Sequence, residues 1–229
     1  MIVDHTHPIY REKRKSLENG NQYNGAYYYS VEIVKNIIPN VVTDRNWVTV
    51  RLADQPIPDH SIVFIHNNRN PNYYEFLRRY KDLILVCGLE KTVENMRFFG
   101  KAIYLPLSVD VDQVSKYKVK KKTKDQAFAG RLIKISKMYH APIPKECDIL
   151  SNMPQTRLLK EMAKYKTIYA TGRTAIQAKI LGCEIKVHDP NFPDPKVWRI
   201  LDNKDAAKML QYELDKIDGG KKCLEEKKL

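Results

Sequence analysis

Apolar positions recur along this chain with two different periods, and the switches between them lay out its elements. Ile2-Val3 is a short strand candidate. A polar stretch rich in turn formers, Glu18 to Gly25, follows it. From Ala26 the positions Tyr27, Val31, Val34, Ile37 and Ile38 fall at helical spacing, and Pro39 stops them. Val41-Val42 and Trp47 to Leu52 read as extended. Ser61 to Ile65 is a continuous apolar run entering His66-Asn67-Asn68, the pattern of a strand buried on both faces and leading into a loop. An amphipathic stretch, Tyr73 to Tyr80, precedes a second buried strand, Leu83 to Cys87. Glu90 to Phe99 suits a helix and Ala102 to Leu107 a third strand. Strand alternating with helix at this spacing predicts parallel βαβ units.

A lysine run then separates a second half with the same alternation. Ala127-Phe128-Ala129 is a short strand that breaks at Gly130-Arg131. Leu158, Leu159, Met162 and Ala163 mark a helix, and Thr167 to Ala170 a strand ending at Thr171-Gly172. Ala175, Ile176, Ile180 and Leu181 line the next helix, which Gly182 is placed to cap. Glu184 to Val187 is extended, and three prolines between Asp189 and Pro195 make a loop. Asp202 or Asn203 caps a last helix carrying Ala206, Leu210, Leu214 and Ile217. The expected fold class is α/β, two small Rossmann-like halves with parallel sheets. The halves are residues 1–112 and 127–229, joined by a Lys-rich linker at 113–126.

Composition narrows the classes. At 229 residues and 43% hydrophobic, the chain has enough apolar material for two compact cores. Its apolar runs are far shorter than the roughly 20 residues of a membrane span. The start, Met-Ile-Val-Asp-His, lacks the pattern of a signal peptide, so a cytoplasmic location is expected. Cys87, Cys147, Cys183 and Cys223 form no C-x-x-C pair, which fits reduced thiols and not a zinc cluster. The net charge of +13 favours anionic partners, whether nucleic acid, membrane or phosphorylated small molecules. Much of it sits in Lys116, Lys118, Lys120, Lys121, Lys122 and Lys124, which reads equally as a solvated linker.

The segment richest in chemistry runs from Tyr169 to Cys183: a strand, a turn at Gly172, and a helix opening with Arg173-Thr174-Ala175. Backbone N–H groups at a helix start point outward and favour an anion. Gly172 allows close approach, Arg173 and Thr174 add donors, and Gln177 sits one turn further in. Ala129-Gly130-Arg131, with Lys134 and Lys137 behind it, repeats the theme of a glycine turn and cations at a strand end. Such ligands gather at the carboxyl ends of strands in open α/β sheets.

These residues resemble the GT-B type, two-Rossmann glycosyltransferases, in reduced form. In that family a strand ending in Gly-Arg and a following Lys contact the donor diphosphate; Gly130 and Arg131 fit this motif, with Lys137 one place later than usual. A later Gly-x-x-x-x-Glu-Ala holds the donor ribose; here it reads Gly172 to Gln177-Ala178, with an amide in place of the carboxylate. Asn24-Gly25-Ala26 resembles the family's glycine turn near the cleft, and Leu105 to Asp110 the approach to the linker. The resemblance implies two sheets facing across a cleft and transfer of a sugar from a nucleotide-sugar to an acceptor hydroxyl. Its donor diphosphate is held by cationic groups, with no cofactor or metal required. His66, past a buried strand, is the candidate base, and Asp4, His5 and Gly25 line the acceptor side. The charge implies an anionic acceptor, such as modified DNA or a cell-surface glycan. Asp110-Val111-Asp112 is formally a D-x-D motif but reads as part of a turn, and His5 and His7 have no third metal ligand. Tyr27 to Tyr29 and Tyr73-Tyr74 read as packing residues rather than stacking platforms. The alternatives are a non-catalytic nucleic-acid-binding module and a nucleotide-sugar-binding protein without catalysis.

Overall fold

The computed structural model describes residues 1–4, 25–50, 56–66, 71–130, 146–186 and 194–225. These form an α/β protein with two parallel sheets, of five and four strands. His5, Arg131 and Lys137 lie outside the described residues, as do Lys134, His7 and Asn24.

The first compact unit holds the described parts of Ala26–Pro106 and Asn203–Leu229 together with Ile2–Val3. Its strands are β1 (Ile2–Val3), β2 (Asn46–Val48), β3 (Ser61–Ile65), β4 (Ile84–Cys87) and β5 (Lys101–Tyr104), and they lie side by side in chain order. Every residue of β3 and β4 is buried, as their unbroken apolar runs require. Val63, Ile65, Leu85 and Cys87 face a core completed by Tyr74, Leu77, Val93 and Met96. The alternate residue Phe64 meets Tyr29 edge-on and stacks with Trp47.

Three expected elements take different forms. The helix beginning at α1 (Gly25–Glu32) passes into a π-turn, Ile33–Ile37, and a 3-10 turn, Ile38–Asn40. Pro39 carries no N–H, so the regular ladder cannot run through it; the widened turn keeps both Ile33 and Ile37 buried. The stretch expected as an amphipathic helix at Tyr73 to Tyr80 is 3-10, Pro71–Arg79. Three residues per turn align Tyr74 with Leu77, and both face the core. Val41-Val42 is not a strand: Val42 is 86% exposed, and β2 is only three residues long.

The second unit spans Leu107–Asp202 in its described parts. The helix α2 (Glu90–Met96) belongs to the first unit, and α3 (Val111–Ser115) opens the second. There follow β6 (Lys124–Ala129), β7 (Asp148–Leu150), α4 (Gln155–Met162), β8 (Tyr165–Tyr169), α5 (Arg173–Ile180) and β9 (Glu184–Lys186). The sheet order is β7-β6-β8-β9, so β6 has β7 on one side and β8 on the other. Asp110 caps α3 by accepting from the Gln113 N–H at 2.8 Å, which accounts for the first acid of the D-x-D sequence.

The lysine run is not a solvated linker throughout. Lys122 Nζ donates to the carbonyls of Ala163 and Leu181, 2.9 and 2.7 Å away, at the C-terminal ends of α4 and α5. Lys124 lies in β6 and reaches Tyr165 Oη and Asp148 Oδ2 at 2.9 and 3.3 Å.

The last helix, α6 (Asn203–Glu225), expected with the second half, packs with the first unit instead. Its Asn203 Nδ2 donates to Glu32 Oε2 at 2.9 Å, and its Asp218 receives Arg45 Nη2 at 2.8 Å. Arg45 is buried and also donates to the Asp82 carbonyl at 3.1 Å, so one guanidinium ties α6 to the amino ends of β2 and β4. No described helix is long and apolar enough to cross a membrane.

Candidate functional site

The second sheet has a place where its strand order reverses. The chain leaves β6 for β7 on one side and later returns past β6 to β8 on the other. Connections that diverge to opposite sides leave a crevice between the carboxyl ends of the two strands, the usual ligand position in open α/β sheets. The register pairs Phe128 with Tyr169, so both expected glycine turns, Ala129-Gly130 and Thr171-Gly172, leave the sheet side by side at this reversal. The first sheet, with strands in chain order, has no such reversal among its described strands.

The two glycines are needed for different reasons. At Gly130 a Cβ would meet the Phe128 ring at 2.8 Å, so close packing excludes a side chain there. Gly172 has φ 63° and ψ −144°, a conformation that L residues rarely adopt. Among the described residues a Cβ at Gly172 would find only Leu107 Cδ1, at 4.0 Å.

Gly172 starts α5, and no side chain caps the helix. The Ala175 N–H of its first turn bonds the Gly172 carbonyl at 3.0 Å, and the positive end of the helix dipole at this turn favours an anion. Thr174 is buried at this turn. Arg173 is buried too, and its Nε donates to the Ser108 carbonyl at 3.0 Å, anchoring the start of α5 to the segment before α3. Seven of the eight residues of α5 are buried, so it is a core helix and not the one-faced helix its sequence suggested. Its far end closes as expected at Gly182, φ 77°, with Gly182 N–H bonded to the Lys179 carbonyl and Cys183 N–H to Ala178.

Gln177, one turn into α5, has 0% exposure. Neither its Nε2 nor its Oε1 has a hydrogen-bond partner among the described residues. A buried amide left unbonded costs about 1–3 kcal/mol per group, so a native structure that keeps one calls for a reason. Sequence reasoning singled out Gln177 by its spacing from Gly172; that it lies unsatisfied in the core was not readable from spacing.

In the first unit Asp4 and His66 lie at the carboxyl edge of the sheet. Asp4 is buried immediately after β1. Val3 pairs with Val48, and the Thr49 N–H bonds to the Val3 carbonyl at 3.0 Å, which sets Asp4 beside the end of β2. His66 follows β3, and its Nε2 lies 2.6 Å from the Thr49 carbonyl. A carbonyl only accepts, so Nε2 carries the hydrogen and any base role falls to Nδ1. The Tyr29 ring stands edge-on to the imidazole with centroids 5.9 Å apart. Gly25 opens α1, and Ser30 on the same helix shares a 2.7 Å hydroxyl bond with Thr49. Ser30 and Thr49 were missed from sequence because isolated hydroxyls carry no spacing signal. Tyr29 packs inward, as expected of the tyrosine run, and Tyr27 meets Tyr28 edge-on.

No group of three or more His, Cys, Asp or Glu placed to hold a metal ion exists among the described residues. Cys87, Cys147 and Cys183 are buried free thiols; burial pushes the Cys87 thiol up to about 12 and raises the other two. Burial lowers the pKa of Lys179, whose ammonium donates to the carbonyls of Pro195 and Trp198 and holds that turn against α5.

Comparisons with protein-family models, curated proteins and solved structures give no match to this chain.

Proposed function

We propose that the second unit binds a nucleotide-sugar at its strand reversal and that the chain is a glycosyltransferase acting on an acceptor hydroxyl. The observation that carries this reading is the placement of both glycine turns at the carboxyl ends of neighbouring strands where the order reverses. The start of α5, where no side chain caps the helix, favours a phosphate through its dipole, and Gly172 places no side chain in the way. The unsatisfied Gln177 amide is a donor and acceptor pair for a sugar hydroxyl, in the place where the resembled enzymes hold the donor ribose. On this reading the acceptor oxygen attacks the anomeric carbon, the bond to the diphosphate breaks, and His66 Nδ1 takes the acceptor proton. Arg131, Lys137 and the α5 N–H groups stabilise the leaving diphosphate. The GT-B expectation, two sheets facing across a cleft with the acceptor on the first unit, belongs to the same proposal.

Calorimetry with UDP, GDP, UDP-glucose and UDP-N-acetylglucosamine tests it on the wild type, Arg131→Ala and Gln177→Met. One nucleotide should bind, and Arg131→Ala should abolish that binding. Gln177→Met should weaken donor binding while stabilising the ligand-free protein by about 1–2 kcal/mol, because it removes buried groups without partners. No binding of any donor refutes the proposal; binding without transfer to any acceptor removes the catalytic half of it.

A further inference from the structure

The structure divides the lysine run into two kinds of residue. Lys122 turns inward to two helix ends, and Lys124, itself exposed, is taken up by the Tyr165–Asp148 pair. Lys118, Lys120 and Lys121 are exposed, and their ammonium groups make no hydrogen bond or ion pair among the described residues. The Lys116 ammonium, also exposed, donates to the neutral Gln113 Oε1 at 2.8 Å. Asp148 is thus the one carboxylate that answers this run among the described residues, and it serves Lys124.

The strip is held at both ends. Tyr117 and Lys118 N–H groups bond to Val114 and Ser115 at the end of α3, and Thr123 and Lys124 N–H groups both bond to the Lys164 carbonyl. Lys118 Cε lies 3.7 Å from where a Cβ of Gly182 would stand, so its stem rests on the α5 turn. A fixed backbone presenting adjacent unpaired ammonium groups carries mutual repulsion that a polyanion relieves, and it loses little freedom on binding. Half-buried Tyr117 lies between Lys116 and Lys118, the interleaving of aromatic and cation that serves a base and its phosphates.

We propose that Lys116–Lys121 is a docking strip for single-stranded nucleic acid, with Lys118, Lys120 and Lys121 on its phosphates and Tyr117 against a base. The proposal stands apart from the donor site, which is assayed without nucleic acid. Fluorescence anisotropy with a labelled oligothymidylate of roughly 20 nucleotides, titrated between about 50 and 200 mM salt, reads it directly. Neutralising the three lysines in Lys118→Gln/Lys120→Gln/Lys121→Gln should flatten the slope of log K against log salt by about 2, at roughly 0.7 per phosphate contact on a single strand. Tyr117→Ala should weaken binding about tenfold with the slope kept. The control Lys91→Gln/Lys101→Gln/Lys208→Gln removes the same charge from exposed positions of the first unit and should leave the slope near wild type. Equal flattening in both triple variants would show that net charge alone binds the strand and overturn the proposal. Binding of heparin or duplex DNA without the single strand would overturn it equally. Unchanged circular dichroism of each variant confirms that the comparison is between folded proteins.

Discussion

Replacing Lys122 by methionine keeps the stem of the side chain and removes the ammonium that closes two helices of the second unit. In the wild type, Nζ sits 2.9 Å from the Ala163 carbonyl and 2.7 Å from the Leu181 carbonyl, with Cys183 Sγ at 3.3 Å. Both carbonyl residues have 0% exposure, so water cannot take the place of the ammonium without opening the structure. A charged hydrogen bond contributes about 1.5–3 kcal/mol, and the negative ends of two helix dipoles add to it. The wild-type ammonium, half-buried, gives up part of its hydration on folding, so the lower figure applies to each bond and the expected loss is about 3 kcal/mol. Urea unfolding followed by far-UV circular dichroism should show a lower midpoint with the slope unchanged. In a thermal scan the loss amounts to about 6–12 °C if the chain melts as a whole. Lys121→Met, one residue away and exposed, should change stability by less than about 0.5 kcal/mol. If the two variants unfold alike, the helix-closing role of Lys122 is wrong and the run is a solvated surface throughout.

Arg45→Met should destabilise the protein by about 3 kcal/mol, because it removes the buried guanidinium's charged hydrogen bonds to the Asp82 carbonyl and to Asp218 and frees α6; limited proteolysis should then cut first within residues 203–225. Gly172→Ala should cost about 1–3 kcal/mol from its positive φ alone, whereas Gly219→Ala, in open space on α6, should stabilise by about 0.5–1 kcal/mol; chemical denaturation distinguishes the two. Asp148 is held below the usual carboxylate range, first by the Tyr165 hydroxyl and then by Lys124. A folded pKa below the unfolded value contributes stability that is full above the unfolded pKa and is lost as pH falls through the folded one. The acid limb of the wild-type stability profile should therefore be steeper below about pH 4 than that of Asp148→Asn.

The carboxyl-edge polar groups show how much of the site the sequence carried. The run Ser61 to Ile65 marks β3 by composition alone, so His66 could be placed just past a buried strand. Its tautomer could not, since that depends on the Thr49 carbonyl of a neighbouring strand 17 residues away in the chain. The glycine turns were likewise legible one at a time. Their adjacency was not, because it follows from β6 pairing with β8 rather than from anything within either segment.

The sequence by itself determined what rests on near neighbours. The apolar runs marked β3, β4 and β8, Pro39 the end of the helical segment, and Gly182 the C-terminal turn of α5, because each depends on residues within a turn or two. Tertiary structure alone decided the strand order, the inward use of Lys122, the return of α6 to the first unit and the solitary burial of Gln177. A lysine that caps a helix and one that faces water have the same local pattern. Only the position of distant carbonyls and carboxylates tells them apart, and that position is set when the chain pairs its strands.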